Sequence, residues 1–513
     1  MKRFLFPAFI LALVLLAPVP SPARQESIRI LYVNDFHGFA QPHRPGGAPA
    51  PLGGIAYLDA QADRLRREKP SLLLAAGDML QGHNWANLTR GKGVVELMNA
   101  MKFDAMVVGN HEFDFGQEVL RKRLAEARFP FLGANVDGFP GLKPYLLKTV
   151  GGVRVAVIGV VTPETAVATH PRNVAGLTFR STEDTVRQCL KDLRDQADIF
   201  VVLSHQGLPA DRALAQKVPG IDVIVGGHTH TKIDMPVVVG GTIIVQAWEH
   251  AKALGVLDLL FKDGKVVWFN GFLQEISPAA GAPDLQVEKI VAHYARQVDQ
   301  SLSQAVGKTQ VDLDGEQVRR RETNLGDLVA DVLKRATGAD CALINGGSIR
   351  ASIPKGTVRL KELYNALPYD NYAVAVRLSG REVREALEHG VSALEENSGR
   401  FPQVSGLTFT YSPAAPPGAR VREVTVRGQP LNPEGQYVVA TNDFIAAGGD
   451  GYTVFAEALD PPAEGAGPED LLKGPRLVFS DPSRWLRDLV ADYFRAHKKV
   501  SPRVTGRIKL EVD

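Results

Sequence analysis

The stretch Gly109-Asn110-His111-Glu112-Phe113-Asp114-Phe115-Gly116 puts an amide oxygen, an imidazole and two carboxylates on one short loop after an apolar run. An Asn carbonyl oxygen is a hard-metal ligand, and a His is a ligand or an acid. Asp35 with His37, then Asp78, His205, and His228 with His230 recur in the same half of the chain, each after a β-rich run and several beside glycine. Carboxylate, imidazole and Asn oxygen together suit divalent first-row metals. With no cysteine among them, the pattern does not suit a structural zinc knuckle. One carboxylate with an acceptor on each side can bridge two ions, and two ions about 3.5–4 Å apart would activate a bridging water and clamp a phosphoryl oxygen. Singly the motifs are weak: Asp-x-His after a strand is common, and Gly77-Asp78 alone reads as a turn. Their succession at strand ends carries the reading.

The elements that must position these groups are legible as alternating patterns. Residues 28–33, 71–76, 104–108, 129–134, 153–160, 199–203 and 221–225 read as buried strands, and 55–68, 93–101, 117–127 and 183–196 as helices. Open α/β sheets place their chemistry at the carboxyl ends of strands, which is where the candidate ligands fall. The runs 237–245, 253–261 and 266–274 are close together and predict an antiparallel extension of the sheet. Residues 42–51 are Pro/Gly-rich and predict an exposed loop, 277–283 a boundary, and 284–304 a linker helix. The βα alternation argues for a layered α/β domain over 25–277, with a second α/β domain over 306–513. That second half carries Arg319-Arg320-Arg321 ahead of a helix, Asn345-Gly346-Gly347-Ser348-Ile349-Arg350 after an apolar run, Tyr369 in Leu367-Pro368-Tyr369-Asp370-Asn371, and Phe444 ahead of Gly448-Gly449-Asp450-Gly451. Gly-Gly allows close backbone approach to a ligand, and Arg350 can grip phosphate or carboxylate bidentately.

A chain of 513 residues is long enough for two domains and a sizeable core, and 45% hydrophobic with 23% charged residues is ordinary for a globular protein. The net charge is +2, and without Lys2 and Arg3 basic and acidic residues balance at 57 each, so no global footprint for a nucleic-acid polymer exists. Lys2-Arg3, the apolar run 4–17 and Ser21-Pro22-Ala23 predict a secretory signal over 1–23, hence a periplasmic or secreted protein with no membrane insertion once the signal is removed. Cys189 and Cys341 fall in different predicted domains, and a disulfide is not the default expectation. His43, His83, His170, His250, His293 and His389 lack strand-end context and read as structural, although His83 and His250 lie near site motifs and could line the cleft.

Asn34-Asp35-Phe36-His37-Gly38, Gly77-Asp78-Met79-Leu80-Gln81-Gly82, Gly109–Gly116, Leu203-Ser204-His205 and Gly226-Gly227-His228-Thr229-His230 resemble the calcineurin-like metallophosphoesterases. More narrowly, they resemble the secreted bacterial 5'-nucleotidase and UDP-sugar hydrolase family over nearly all of the mature chain. The resemblance implies a four-layer metallophosphoesterase sandwich followed by a smaller α/β substrate-binding domain. It implies that Asp35, His37, Asp78 and His230 hold one divalent ion, and that Asp78, Asn110, His205 and His228 hold a second. His230 is the ligand position most variable in that family. His111 would stabilise the phosphoryl transition state and the leaving oxygen, with Asp114 orienting its ring. In the second half, Tyr369 and Phe444 match the aromatics that sandwich a nucleobase. Asn345, Asn371 and Gly399 match substrate contacts, Asp450 the carboxylate on the ribose hydroxyls, and Arg319 and Arg350 arginines for the substrate's distal groups. A further family arginine four residues before Arg319 is replaced by Gly315, with Arg320 or Arg321 as the expected substitute. The resemblance also implies rotation of the two domains about the linker helix.

The expected activity is hydrolysis of nucleoside 5'-monophosphates, extending to di- and triphosphates or UDP-sugars, with two divalent ions; Zn²⁺ and Mn²⁺ lead, and Co²⁺ also suits the ligands. Rival readings on the same scaffold are a 2',3'-cyclic phosphodiesterase with 3'-nucleotidase activity, a thiosulfohydrolase, and a secreted nucleotide-binding protein that has lost catalysis. The intact ligand set with His111 and Asp114 opposes the last, and the aromatic pair with Asp450 opposes the thiosulfohydrolase.

Overall fold

The computed structural model describes residues 25–44, 49–262, 265–460 and 472–511. The signal expected over 1–23 lies outside the described residues. Twelve strands of the first half, introduced here in chain order, are β1 (Gln25–Val33), β2 (Ser71–Ala75), β3 (Ala105–Val107), β4 (Phe131–Leu132), β5 (Tyr145–Val150), β6 (Val153–Val161), β7 (Ile199–His205), β8 (Val223–Gly226), β9 (Val237–Val239), β10 (Thr242–Gln246), β11 (Ala253–Lys262) and β12 (Lys265–Glu275). They form two six-stranded sheets, ordered β12-β11-β1-β2-β3-β4 and β9-β10-β8-β7-β6-β5.

The two-residue repeat of the strands sends alternate side chains to the two faces of each sheet, and in the central strands both faces are buried. Ile28, Ile30, Tyr32, Leu72 and Leu74 meet Ile199, Val201, Leu203, Val223 and Val225 in the core between the sheets. Leu31, Val33, Leu73 and Ala75 face outward onto helix α1 (Ile55–Glu68), helix α2 (Lys92–Ala100) and helix α6 (Leu285–Leu302). Helix α3 (Gln117–Glu126) follows the Gly109–Gly116 stretch. On the other outer face, helix α4 (Thr182–Leu193) and helix α5 (Leu208–Lys217) cover the second sheet through Val186, Leu193 and Leu214. The result is a four-layer α/β/β/α sandwich, as expected.

One expectation is corrected. The runs after residue 236 do not extend a single sheet. Residues 237–245 fold back at Gly240-Gly241, both left-handed (φ +58° and +92°), into β9 and β10 of the second sheet. In contrast, β11 pairs antiparallel with β1 and β12 in the first. Periodicity identifies strands but does not say which of two sheets receives them. The strand expected over 129–134 shortens to Phe131–Leu132. Cys189 and Cys341 are both free and buried.

Helix α6 begins where Asp284 accepts the Gln286 and Val287 amides at 2.8 and 2.9 Å, and it packs on α1 and α2. Beyond it, helix α7 (Asn324–Thr337) starts on the Thr323 hydroxyl and ends at left-handed Gly338. It covers a five-stranded sheet of β13 (Cys341–Asn345), β14 (Tyr372–Ser379), β15 (Pro402–Ser405), β16 (Gln436–Asn442) and β17 (Leu477–Trp485), ordered β15-β13-β16-β14-β17. The substrate-site candidates sit on the loops leaving β13 and β16 and on the turns entering β14 and β15, except Arg319, which precedes α7.

Among the described residues no helix is long and apolar enough to cross a membrane. In the inter-sheet core, Gly255 of β11 pairs with Tyr32 of β1, and a Cβ there would lie 2.1 Å from the Tyr32 ring. Gly255→Ala is expected to cost about 1–3 kcal/mol by overpacking, read as a lower denaturation midpoint; an unchanged midpoint would show that the ring is free to shift.

Candidate metal centre and the cleft above it

The turns that leave β1, β2, β3 and β8, together with the last residue of β7, converge on one edge of the sandwich. Asp35 and His37 (φ +48° each), Asp78 (+54°), His228 (+77°) and His230 (+52°) all have left-handed backbone. For residues with a side chain this costs on the order of 1–3 kcal/mol each and persists only where surrounding structure imposes it. Glycines permit the crowding: a Cβ on Gly77 would sit 2.4 Å from His205 Nδ1, on Gly109 2.2 Å from Asp78 Oδ1, and on Gly227 2.3 Å from the Ala76 carbonyl oxygen.

Two clusters result, Asp35 with His37 and His230, and Asp78 with His205 and His228; within each, the candidate ligand atoms all lie within 4.8 Å of one another. Asp78 Oδ2 lies 3.1 Å from His205 Nε2 and 3.8 Å from His37 Nε2, so this carboxylate stands between the clusters. Asn110 Oδ1 is 3.1 Å from His228 Nδ1, and His230 Nε2 is 3.3 Å from Asp35 Oδ1. The structure therefore brings together every ligand candidate named from the sequence.

Hydrogen bonding decides which ring nitrogen faces inward. His37 Nδ1 donates to the Gln81 carbonyl at 2.8 Å, His205 Nδ1 to the Ala76 carbonyl at 2.6 Å, and His230 Nδ1 to Glu249. Each leaves Nε2 pointing at the clusters, the arrangement expected of metal-binding histidines. His205 Nε2 is buried without a hydrogen-bond partner, and His37 and His230 face each other Nε2 to Nε2 at 3.3 Å. Acceptors turned toward acceptors are a poor arrangement for hydrogen bonding and a good one for a divalent cation. Charge agrees. Burial pushes Asp78 up, yet His205, His111 and His37 drive it well below the usual carboxylate range. Burial pulls His205 down, yet Asp78 lifts it to about 10; His230 is likewise lifted to about 9 by Asp35 and Glu249. The buried carboxylates thus call for positive charge at the inward Nε2 positions, which protons or divalent cations can supply in competition.

Several supports escaped the sequence reading. Glu112, only 2% exposed, accepts the amides of Asp78 (2.9 Å), Met79 (2.8 Å), Leu80 (3.0 Å) and Gly109 (2.6 Å). It ties the turn after β2 to the turn after β3, and burial beside Asp78 pushes its carboxyl up to about 7. Its one detectable signal is that it adjoins His111. Glu249 holds His230 and is itself held by Lys252, whose Nζ lies 3.8 Å from the Trp248 ring centre. Asn34 bonds Asp35 Oδ2 at 2.6 Å and accepts the Ala247 amide at 2.7 Å. His43, His83 and His250, read as structural, pack around Phe39, with His250 stacked on it at 3.8 Å.

His111 stands beside the clusters. Its amide donates to Asp78 Oδ1 at 3.0 Å, its Nδ1 donates to Asp114 Oδ2 at 2.6 Å, and its Nε2 is 4.0 Å from Asp78 Oδ2. Burial lowers its basicity, but Asp114 and Asp78 outweigh burial and raise it above the ordinary value.

The second domain covers this centre. Tyr369 lies over His111 with ring centres 6.0 Å apart and planes 27° apart. Arg350 is near enough for its charge to act on His37, His111 and Asp114. Arg319 lies beyond it, where burial and Arg350 push its guanidinium down to about 10 while Tyr369, Asp450 and Glu249 pull it up. Asp450 (φ +52°) accepts Asn345 Nδ2 at 2.6 Å, and His389 Nε2 donates to its carbonyl at 2.7 Å. Gly399 accepts the Gly347 amide at 2.8 Å, next to Asp450. Phe444 packs on Gly449 and faces His170 at 6.3 Å. Asn371 takes the Leu486 amide at 2.7 Å on its backbone carbonyl. The two arginines expected to substitute for the missing one have partners of their own. Arg320 bonds Asn397 at 2.9 Å, exposed Arg321 lies 3.6 Å from Asp314, and a Cβ on Gly315 would lie 2.3 Å from the Ala351 carbonyl oxygen.

Glu112→Ala leaves buried amides unpaired and frees the turn that presents Asp78. It is expected to weaken divalent-metal binding about 10–100-fold, measured by calorimetric titration of the stripped protein; unaltered affinity would show that the turn holds itself.

Residues 28–232 match the calcineurin-like phosphoesterase family, and residues 305–457 match the 5'-nucleotidase C-terminal domain. The chain is 34% identical over 540 residues to the trifunctional nucleotide phosphoesterase protein YfkN of Bacillus subtilis; the match covers 94% of this chain but 35% of YfkN, about a third of that longer protein. It is 30% identical over 541 residues to the 5'-nucleotidase of Homo sapiens, covering 94% of this chain and 90% of the relative. Among solved structures, the 5'-nucleotidase precursor from Thermus thermophilus is 35% identical with a TM-score of 0.86, over 94% of this chain and 99% of that one. The chain therefore belongs to the 5'-nucleotidase family, with a calcineurin-like phosphoesterase domain followed by a 5'-nucleotidase C-terminal domain.

Proposed function

We propose that this protein is a metal-dependent phosphoric monoester hydrolase that releases phosphate from nucleoside 5'-monophosphates. The observation that carries this reading is the meeting of two half-sites. Tyr369 of the second domain lies over the His111 ring of the first, with centres 6.0 Å apart, and buried Arg350 is near enough for its charge to act on Asp78. A nucleotide spanning them would have its phosphate at the clusters and its base among aromatic rings.

In this reading Asp35, His37, Asp78 and His230 hold one divalent ion, and Asp78, Asn110, His205 and His228 a second. Such ions supply Lewis-acid charge to phosphoryl oxygens and lower the pKa of water. His111, kept protonated by Asp114, donates from Nε2 to the departing 5' oxygen. Arg350, with Arg319 behind it, stabilises the anionic end of the substrate. Tyr369 and Phe444 stack on the base, at about 1–3 kcal/mol per stacked face by analogy with other base–aromatic contacts. Asn345 orients Asp450 toward the ribose hydroxyls, while Asn371 and Gly399 line the same pocket. The domain limits 25–277 and 306–513 about α6, Zn²⁺ or Mn²⁺ as the metal, and export directed by residues 1–23 belong to the same proposal. The name of the Bacillus relative favours a panel wider than one substrate.

Chelation should abolish phosphate release from AMP, and Mn²⁺ or Zn²⁺ should restore it. AMP should be preferred over a 3'-nucleotide, 2',3'-cyclic AMP and UDP-glucose; a preference for the cyclic or 3' compound would keep the metal centre and overturn the reading of the second domain. His111→Ala should lower kcat by about 10²–10⁴-fold while the metal content stays unchanged. Because His111 acts as the protonated acid, kcat should fall as pH rises through its elevated pKa. Asp114→Asn removes the charge that raises that pKa, so the alkaline limb should move to lower pH; an unmoved limb would assign it to another group.

A further inference from the structure

One short segment, residues 165–173 after β6, touches both halves of the cleft. Thr169 Oγ1 donates to the Asn110 carbonyl at 2.8 Å, and Asn173 Nδ2 donates to the Asp114 carbonyl at 2.8 Å. The segment thus grips, on both sides of His111, the loop that carries it. From the same segment His170 and Arg172 reach across to the second domain. His170 Nδ1 accepts the Arg172 amide at 3.4 Å, which leaves the Nε2 proton for Asp443 Oδ2, 3.2 Å away. Arg172 Nη1 lies 3.9 Å from the same oxygen. Asp443 is fully buried, and its other oxygen accepts the Tyr372 amide at 3.1 Å.

Asp443 occupies a telling position. It directly precedes Phe444, whose ring faces His170, and the turn at residues 165–168 packs against Gly449–Gly451, which includes Asp450. A buried carboxylate needs a partner. The guanidinium nearest to this one, and its imidazole donor, come from the opposite domain, so the pairing exists only while the two domains are together.

We infer that His170 and Arg172 are positioning residues that clamp Asp443 and so hold the Phe444–Asp450 loop in register with His111. The inference rests on the proposed nucleotide site for what that loop binds, but the clamp itself is a statement about inter-domain geometry. No residue of the clamp touches the metal clusters, so it acts on substrates that engage both domains and spares those that engage only the first.

The test compares AMP with p-nitrophenyl phosphate, which has no nucleoside, in the Zn²⁺-loaded full chain. His170→Ala and Arg172→Ala should raise KM for AMP about tenfold and leave kcat/KM for p-nitrophenyl phosphate within about twofold. Adding Asp443→Asn to His170→Ala should do no further harm, because the unpaired charge is then gone. In parallel, spin labels on Glu118→Cys and Arg381→Cys, both on exposed helix positions of opposite domains, report the inter-domain distance by pulsed EPR. The distance distribution should broaden or lengthen in His170→Ala and Arg172→Ala. Equal losses on both substrates, fully additive effects, or an unchanged distance distribution would overturn the clamp. If the unmodified protein hydrolyses p-nitrophenyl phosphate but shows no preference for AMP, the nucleotide reading fails, and the distance measurement alone decides the clamp.

Discussion

Asp78 is the constraint on which the rest of the centre depends. Its side chain is almost wholly buried, with imidazole nitrogens of His205, His37 and His111 at 3.1, 3.8 and 4.0 Å. A buried carboxylate must be answered by positive charge or by hydrogen-bond donors. Here the donors are scarce, because the inward Nε2 atoms are acceptors when the rings are neutral. A second carboxylate, Glu112, lies directly behind and is satisfied by backbone amides alone. Asp78 is therefore left to face the cleft, where cations and His111 can share its charge.

Holding so many polar groups at one point requires a rigid support. The left-handed backbone at Asp35, His37, Asp78, His228 and His230 is unfavourable locally and is imposed by the strands below. Those strands are buried on both faces, and their ends move little because their apolar side chains interlock between the sheets. Ligand loops anchored there can bear strain that a free loop would relax.

Substrate choice is built differently. The groups proposed to bind the nucleoside belong to a second domain whose link to the first runs through α6 and a few polar contacts, among them Asn84 to the Lys361 carbonyl at 2.8 Å and His170 to Asp443 at 3.2 Å. Interfaces of this polar kind can separate without exposing an apolar core. The metal centre is thus preorganised within one domain, while the complete cleft exists only when both are together. Gly315 fits the same picture: the Ala351 carbonyl fills the place that a side chain would need, while Arg319 and Arg350 are close enough for each to act on the other's charge.

Much of this was legible in the sequence, for a physical reason: ligand chemistry depends on residue type, and strand ends are marked by apolar runs that stop at Gly, Asp, Asn or His. Asp35, His37, Asp78, Asn110, His205, His228 and His230 could be named from that pattern, and His111 with Asp114 followed from the resemblance that the pattern supports. Type and spacing do not reveal long-range partners. Glu112 and Glu249 drew no assignment from the sequence, and His170 read as one more structural histidine, because their roles lie in amides, rings and carboxylates far away in the chain. Arg320 and Arg321 show the converse limit, since a basic run has the right chemistry but its direction is set by local packing. Which sheet received β9 and β10, which ring nitrogens turned inward, and that Tyr369 came to lie over His111 were decided by tertiary structure alone, because only packing brings groups that are distant in sequence into contact.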